Sequence, residues 1–68
     1  MEVKDAAAAT EIVRQFLERL GVISLFLAPI KAERTDGLWV VELIAGIKHM
    51  RFEINASTGQ ILRYAPVT

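Results

Sequence analysis

Gly37 to Thr68, GLWVVELIAGIKHMRFEINASTGQILRYAPVT, decides the fold. Asp36-Gly37, just at its start, is a type I′ hairpin signal with both central residues at φ > 0. A two-residue loop there pairs Thr35 with Leu38, Arg34 with Trp39, Ala32 with Val41 and Lys31 with Glu42. Gly46-Ile47 fits a type II′ turn with glycine first. It pairs Leu43 with Met50, Glu42 with Arg51, Val41 with Phe52 and Trp39 with Ile54. Ser57-Thr58-Gly59 suits a type I turn closed by a bulge, with Gly59 in the left-handed region. That turn pairs Ile54 with Leu62, Glu53 with Arg63 and Phe52 with Tyr64.

Three turns chosen on local grounds yield one sheet with two distinct faces. Ile30, Ala32, Trp39, Val41, Leu43, Met50, Phe52, Ile54, Leu62 and Tyr64 fall on one side. Lys31, Glu33, Glu42, Arg51, Glu53 and Arg63 fall on the other, with opposite charges facing each other across strands. A one-residue slip would turn the apolar set outward, so the register is firmly specified.

Upstream, Asp5 is placed to cap a helix that runs to about Leu20. Ala6, Ala9, Val13, Phe16, Leu17 and Leu20 recur at three- and four-residue spacing and form its apolar stripe. Glu11 with Gln15, and Arg14 with Glu18, are i,i+4 neighbours off that stripe. Gly21 sits where a left-handed C-cap is expected, and Met1 to Lys4 reads as a loose end. The connector Val22 to Pro29, VISLFLAP, is compatible with a short strand, a turn of helix entered at Ser24, or an irregular apolar arm. Pro29 biases Ala28 toward an extended conformation.

The expected architecture is therefore α+β: one N-terminal helix packed on a four-stranded antiparallel β-meander, in a single domain over residues 1–68. The helix is expected over about 5–20, and the strands over about 30–35, 38–45, 48–55 and 60–66.

Composition narrows the functional classes. Eight basic and eight acidic residues leave a net charge of zero, whereas nucleic-acid contacts need a concentrated basic face; no nucleic-acid partner is expected. There is no cysteine, which removes disulfides and thiolate metal sites. The longest apolar stretch, Val22 to Ile30, is interrupted by Ser24 and Pro29 and falls short of the roughly 20 residues that span a bilayer. The N-terminus lacks a charged start followed by a long apolar run, so no signal peptide is read there and the cytoplasm is the expected compartment.

Asp36-Gly37-x-Trp39-Val40-Val41-Glu42, followed by Phe52-Glu53-Ile54-Asn55-Ala56-Ser57-Thr58-Gly59-Gln60-Ile61-Leu62, resembles a PepSY-type domain. That family shows an aromatic-rich strand, a glycine-containing turn, and a strand ending near V-D-A-x-T-G-x-I-L. The likeness covers about half the chain, and Asn55 stands where the family has aspartate. It implies a non-enzymatic interaction module, in some members a regulator that binds and restrains a peptidase.

Residues able to carry chemistry are few. His49 is the only histidine; the register sets it on the outer face opposite Ile44, with no carboxylate as its direct cross-strand neighbour. A general base needs a partner and a pocket, so His49 reads as a surface residue and no enzyme is expected. One histidine with scattered carboxylates does not make a metal site, and no cofactor is implied. Trp39 falls on the core face, and Asn55-Ala56-Ser57 belongs to a turn rather than to a glycosylation site.

Apolar surface is the feature that calls for a partner. Hydrophobic residues make up 53% of the chain and the mean hydropathy is +0.36, while one helix covers only one sheet face. Val22, Ile23, Leu25, Phe26 and Leu27 in the connector, and Leu38, Val40 and Ile44 on the outer face of the second strand, are the candidate interface residues. A homodimer is the expected use of that surface, with the connector as the main contact.

Overall fold

The structure is a computed structural model and describes residues 1–67; Thr68 lies outside the described residues. Helix α1 spans Ala6–Arg19, a single 3₁₀ turn spans Ser24–Phe26, and four strands follow: β1 Leu27–Thr35, β2 Leu38–Ala45, β3 Lys48–Asn55 and β4 Ile61–Pro66. The strands form one antiparallel sheet in the order β1-β2-β3-β4, and α1 lies on one face. The fold is α+β.

The ends of α1 are fixed by local chemistry. The Ala8 amide donates to Asp5 Oδ1 at 2.8 Å, which satisfies one of the free first-turn amides. At the other end Val22 N–H reaches Leu17 O and Gly21 N–H reaches Glu18 O, both at 3.0 Å. This is the Schellman pattern, and Gly21 supplies the left-handed residue it needs at φ 94°. Ala9, Val13 and Leu17 are buried on the sheet, whereas Ala6 and Leu20 of the expected stripe are exposed. The stripe narrows because both lie at the helix ends, beyond the sheet they would cover.

Every expected β1–β2 and β2–β3 pair is present, from Thr35–Leu38 through Leu43–Met50. Val41, Leu43, Phe52 and Ile54 form the buried centre with Trp39. Two details of the turns differ. Asp36 takes a φ of 54° but Gly37 does not share a positive φ, so the hairpin is not the type I′ pair. The Gly37 carbonyl accepts from the Ala56 amide at 2.9 Å, a bond that an isolated hairpin does not contain.

The third turn is one residue longer than expected. Asn55 N–H bonds to Gln60 O at 2.8 Å, so the loop is Ala56 to Gly59. Ile54 pairs with Ile61 rather than Leu62, and the register shift falls between Glu53 and Ile54. Ala56 explains it. Its side chain is buried, its N–H goes to Gly37 O and its carbonyl accepts from Val3 N–H at 2.8 Å. A residue held on both sides cannot be an ordinary strand position, and Leu62 absorbs the mismatch as a bulge. Gly59 is left-handed at φ 81°, as expected.

The N-terminal segment is not a loose end. Val3 is 2% exposed and belongs to the core, and its carbonyl accepts from Trp39 Nε1–H at 2.9 Å. A buried indole N–H requires such an acceptor, and residues 1–4 supply it.

β1 begins at Leu27, three residues before the expected start, and a bulge between Pro29 and Lys31 accommodates the proline. An edge strand tolerates a residue with no amide proton. The bulge leaves Ile30 without a cross-strand partner, and Ile30 is exposed rather than part of the buried inner face. Leu62 and Tyr64 are also half open, at 48% and 51%. The backbone of α1 approaches β1 and β2 most closely, which leaves Tyr64 on β4 only partly covered.

Candidate functional site

The connector resolves into two local structures. Ser24–Phe26 form the 3₁₀ turn, closed by Phe26 N–H to Ile23 O at 2.9 Å, and Leu27 enters β1. Arg14 Nη1 donates to Ser24 Oγ at 3.3 Å and to Glu18 Oε2 at 2.8 Å, while Ser24 Oγ also bonds Glu18. The turn is thereby fastened to the last turns of α1. Its far end is fastened too, by Gly46 N–H to Phe26 O at 2.8 Å.

With both ends held, the five connector candidates divide. Val22 and Leu27 pack against the core as partly buried residues. Ile23, Leu25 and Phe26 face outward, with Leu25 at 85% and Phe26 at 57% exposure. Beside them stand Leu20, at the end of α1, and Ile47, fully exposed at the tip of the β2–β3 turn. One end of the molecule is thus apolar and solvent-facing. Ile23 and Phe26 also line an open cleft of about 490 Å3, together with Val22, Lys48, Met50 and Pro66. Ile47 was not among the sequence candidates, although its place as the second residue of a two-residue turn is the signal for it.

The outer-face candidates do not join this cluster. Leu38 and Val40 are half-buried among cross-strand neighbours, Leu38 between Thr35 and Asn55 and Val40 between Glu33 and Glu53. Ile44 is exposed, between Ala28 and His49. Charged side chains separate them. Lys31 Nζ lies 3.5 Å from Glu42 Oε2, Arg63 Nε lies 3.4 Å from Glu53 Oε2, and Arg51 Nη2 lies 3.9 Å from the same oxygen.

His49 has a partner that direct pairing does not show. Its Nε2 lies 2.8 Å from Glu42 Oε1, with the carboxylate accepting. His49 pairs with Ile44, so Glu42 is its diagonal neighbour, within reach of a long side chain. Partial burial raises the Glu42 pKa, but the His49 hydrogen bond and the Lys31 charge outweigh it and hold the carboxyl below its ordinary 4.5. The stability this group contributes is therefore fully present above pH 4.5 and is lost as the pH falls through the lowered value. Thermal melts of Glu42→Gln should decline less steeply on acidification below pH 4.5 than those of the parent; equal slopes would show that Glu42 carries none of the acid sensitivity.

No group of three or more histidine, cysteine or acidic side chains is placed to hold a metal ion among the described residues. Among those residues no helix is long and apolar enough to cross a membrane. Asn55 Oδ1 accepts from the Ser57 and Thr58 amides at 2.8 and 3.2 Å, so the side chain shapes the loop. Comparison with protein-family models, with curated proteins and with solved structures finds no match to this chain.

Proposed function

We propose that this chain is a non-catalytic protein-interaction module, PepSY-like in outline, that self-associates as a homodimer through its apolar end. The observation that carries the reading is the cluster of Leu20, Ile23, Leu25, Phe26 and Ile47 in solvent at one end of a 68-residue domain. Its backbone is held from α1 and from the β2–β3 turn, so the surface is ordered before any partner arrives. Prior order lowers the entropy cost of association.

A second copy is the simplest partner because a two-fold contact needs only one self-complementary patch. Burying several hundred Å2 of apolar surface at about 25 cal/mol per Å2 gives a gross gain on the order of 10 kcal/mol. The cost of association is of comparable size, roughly 4–15 kcal/mol. The dimer is therefore concentration-dependent rather than obligate.

Sedimentation or light scattering across a dilution series tests this. A dimer at high micromolar concentration is expected, weakened by Phe26→Asp and unaffected by Val40→Asp. A monomer persisting at high micromolar concentration would sink the homodimer. Inhibition of a peptidase by that monomer would assign it the regulatory role that the PepSY resemblance implies.

A further inference from the structure

We infer that the free edge of β4, with the open groove that Arg51, Arg63, Tyr64 and Pro66 line beside it, binds an extended acidic segment of another protein as a fifth strand of the sheet. Among the described residues β4 has a single neighbour, β3. Val67 N–H bonds to His49 O at 2.8 Å, which points residue 67 toward β3. Alternation along an antiparallel strand then points Arg63 and Ala65 inward to β3, and the amide and carbonyl of Tyr64 outward to the free edge. The bulge at Leu62 lies before Tyr64 and does not disturb that alternation. An added strand finds an unused donor and acceptor there, the basis of strand-addition recognition.

Side chains supply the rest of the site. On the inner face the Tyr64 ring stacks on Phe52 at 5.4 Å and meets Phe16 at the same centroid distance, yet Tyr64 stays half exposed because α1 lies over β1 and β2. Leu62 is open on the same edge. Alternate apolar side chains of an incoming strand would lie against this aromatic floor. Arg19 follows Phe16 by three residues and so shares its flank of α1. On the outer face Arg63 and Arg51 both contact Glu53, leaving one positive charge in excess in that trio.

Charge decides between occupants. A second copy paired antiparallel about Tyr64 would set Arg63 diagonal to its own counterpart, which is unfavourable. A strand alternating apolar with acidic residues meets a matching surface. This inference goes beyond the homodimer, whose proposed contact is the apolar end.

Two short labelled peptides, one alternating valine with glutamate and one alternating valine with lysine, would be titrated against the full chain. The glutamate peptide should bind about tenfold more tightly, as expected for a few exposed charge pairs acting together. Its binding should also slow hydrogen exchange at the Tyr64 amide. Arg63→Glu should abolish the preference while leaving sedimentation unchanged, and Phe26→Asp should do the reverse, so the two readings fail separately. Equal affinity for both peptides, no binding, or binding that leaves the Tyr64 amide unprotected would overturn the inference. Concentration-dependent protection of that amide without peptide would also overturn it, assigning the edge to a second copy.

Discussion

Phe52→Ala should destabilise the protein by roughly 3–5 kcal/mol, the usual range for deleting a fully buried aromatic side chain. Phe52 is the largest of the fully buried residues and lies in β3, an interior strand of the sheet. Its ring meets Phe16 of α1 edge-on at 6.1 Å and stacks on Tyr64 of β4 at 5.4 Å, so one side chain joins the helix to the half-open edge strand. The cavity cannot collapse easily, because Val41 and Tyr64, the partners of Phe52, are held by backbone pairing on either side. Small domains have total stabilities of about 5–15 kcal/mol, so the variant should be largely unfolded or close to it. Urea unfolding followed by far-UV circular dichroism measures the effect. A midpoint near that of the parent would show that the Phe16–Phe52–Tyr64 cluster is not the centre of the fold.

How much of this was legible in the sequence depends on whether the deciding contact is local. The β1–β2 and β2–β3 registers followed from Asp36-Gly37 and Gly46-Ile47, because a two-residue turn fixes all pairs beyond it. The caps of α1 were equally local, with Asp5 reaching Ala8 and Gly21 following the last turn. The β3–β4 register failed by one residue near the loop, where Ala56 answers to Gly37 and Val3, both far away in the chain.

The candidate site shows the same division. The connector carries exposed apolar side chains, but which ones depends on Arg14, Glu18 and Gly46 holding the 3₁₀ turn at both ends. That constraint sends Val22 and Leu27 inward and Ile23, Leu25 and Phe26 outward. His49 found its carboxylate on the diagonal rather than directly across. Tyr64 sits on the expected face, yet its exposure depends on where α1 crosses the sheet, which no local pattern encodes.

Val3→Asp carries the second large effect, and it bears on the segment whose sequence gave least warning. Val3 touches the core and contributes two backbone bonds, its N–H to Ala56 O and its carbonyl from Trp39 Nε1–H. A carboxylate in that position would be buried without a charged partner, which is too costly for the segment to tolerate. Residues 1–4 precede α1, so they can peel away without breaking the sheet, and this limits the penalty. What is lost is the burial of one valine side chain, about 1.5–3 kcal/mol, and the net value of the indole bond, about 1 kcal/mol. The expected destabilisation is therefore roughly 3 kcal/mol, smaller than for Phe52→Ala. Trp39 gives a direct readout, because peeling exposes its indole to water and should shift its fluorescence to longer wavelength under native conditions. Val3→Ala should lose stability without that shift, since the backbone carbonyl stays in place. An unshifted spectrum and parental stability in Val3→Asp would mean that the N-terminal segment does not seal the core over Trp39.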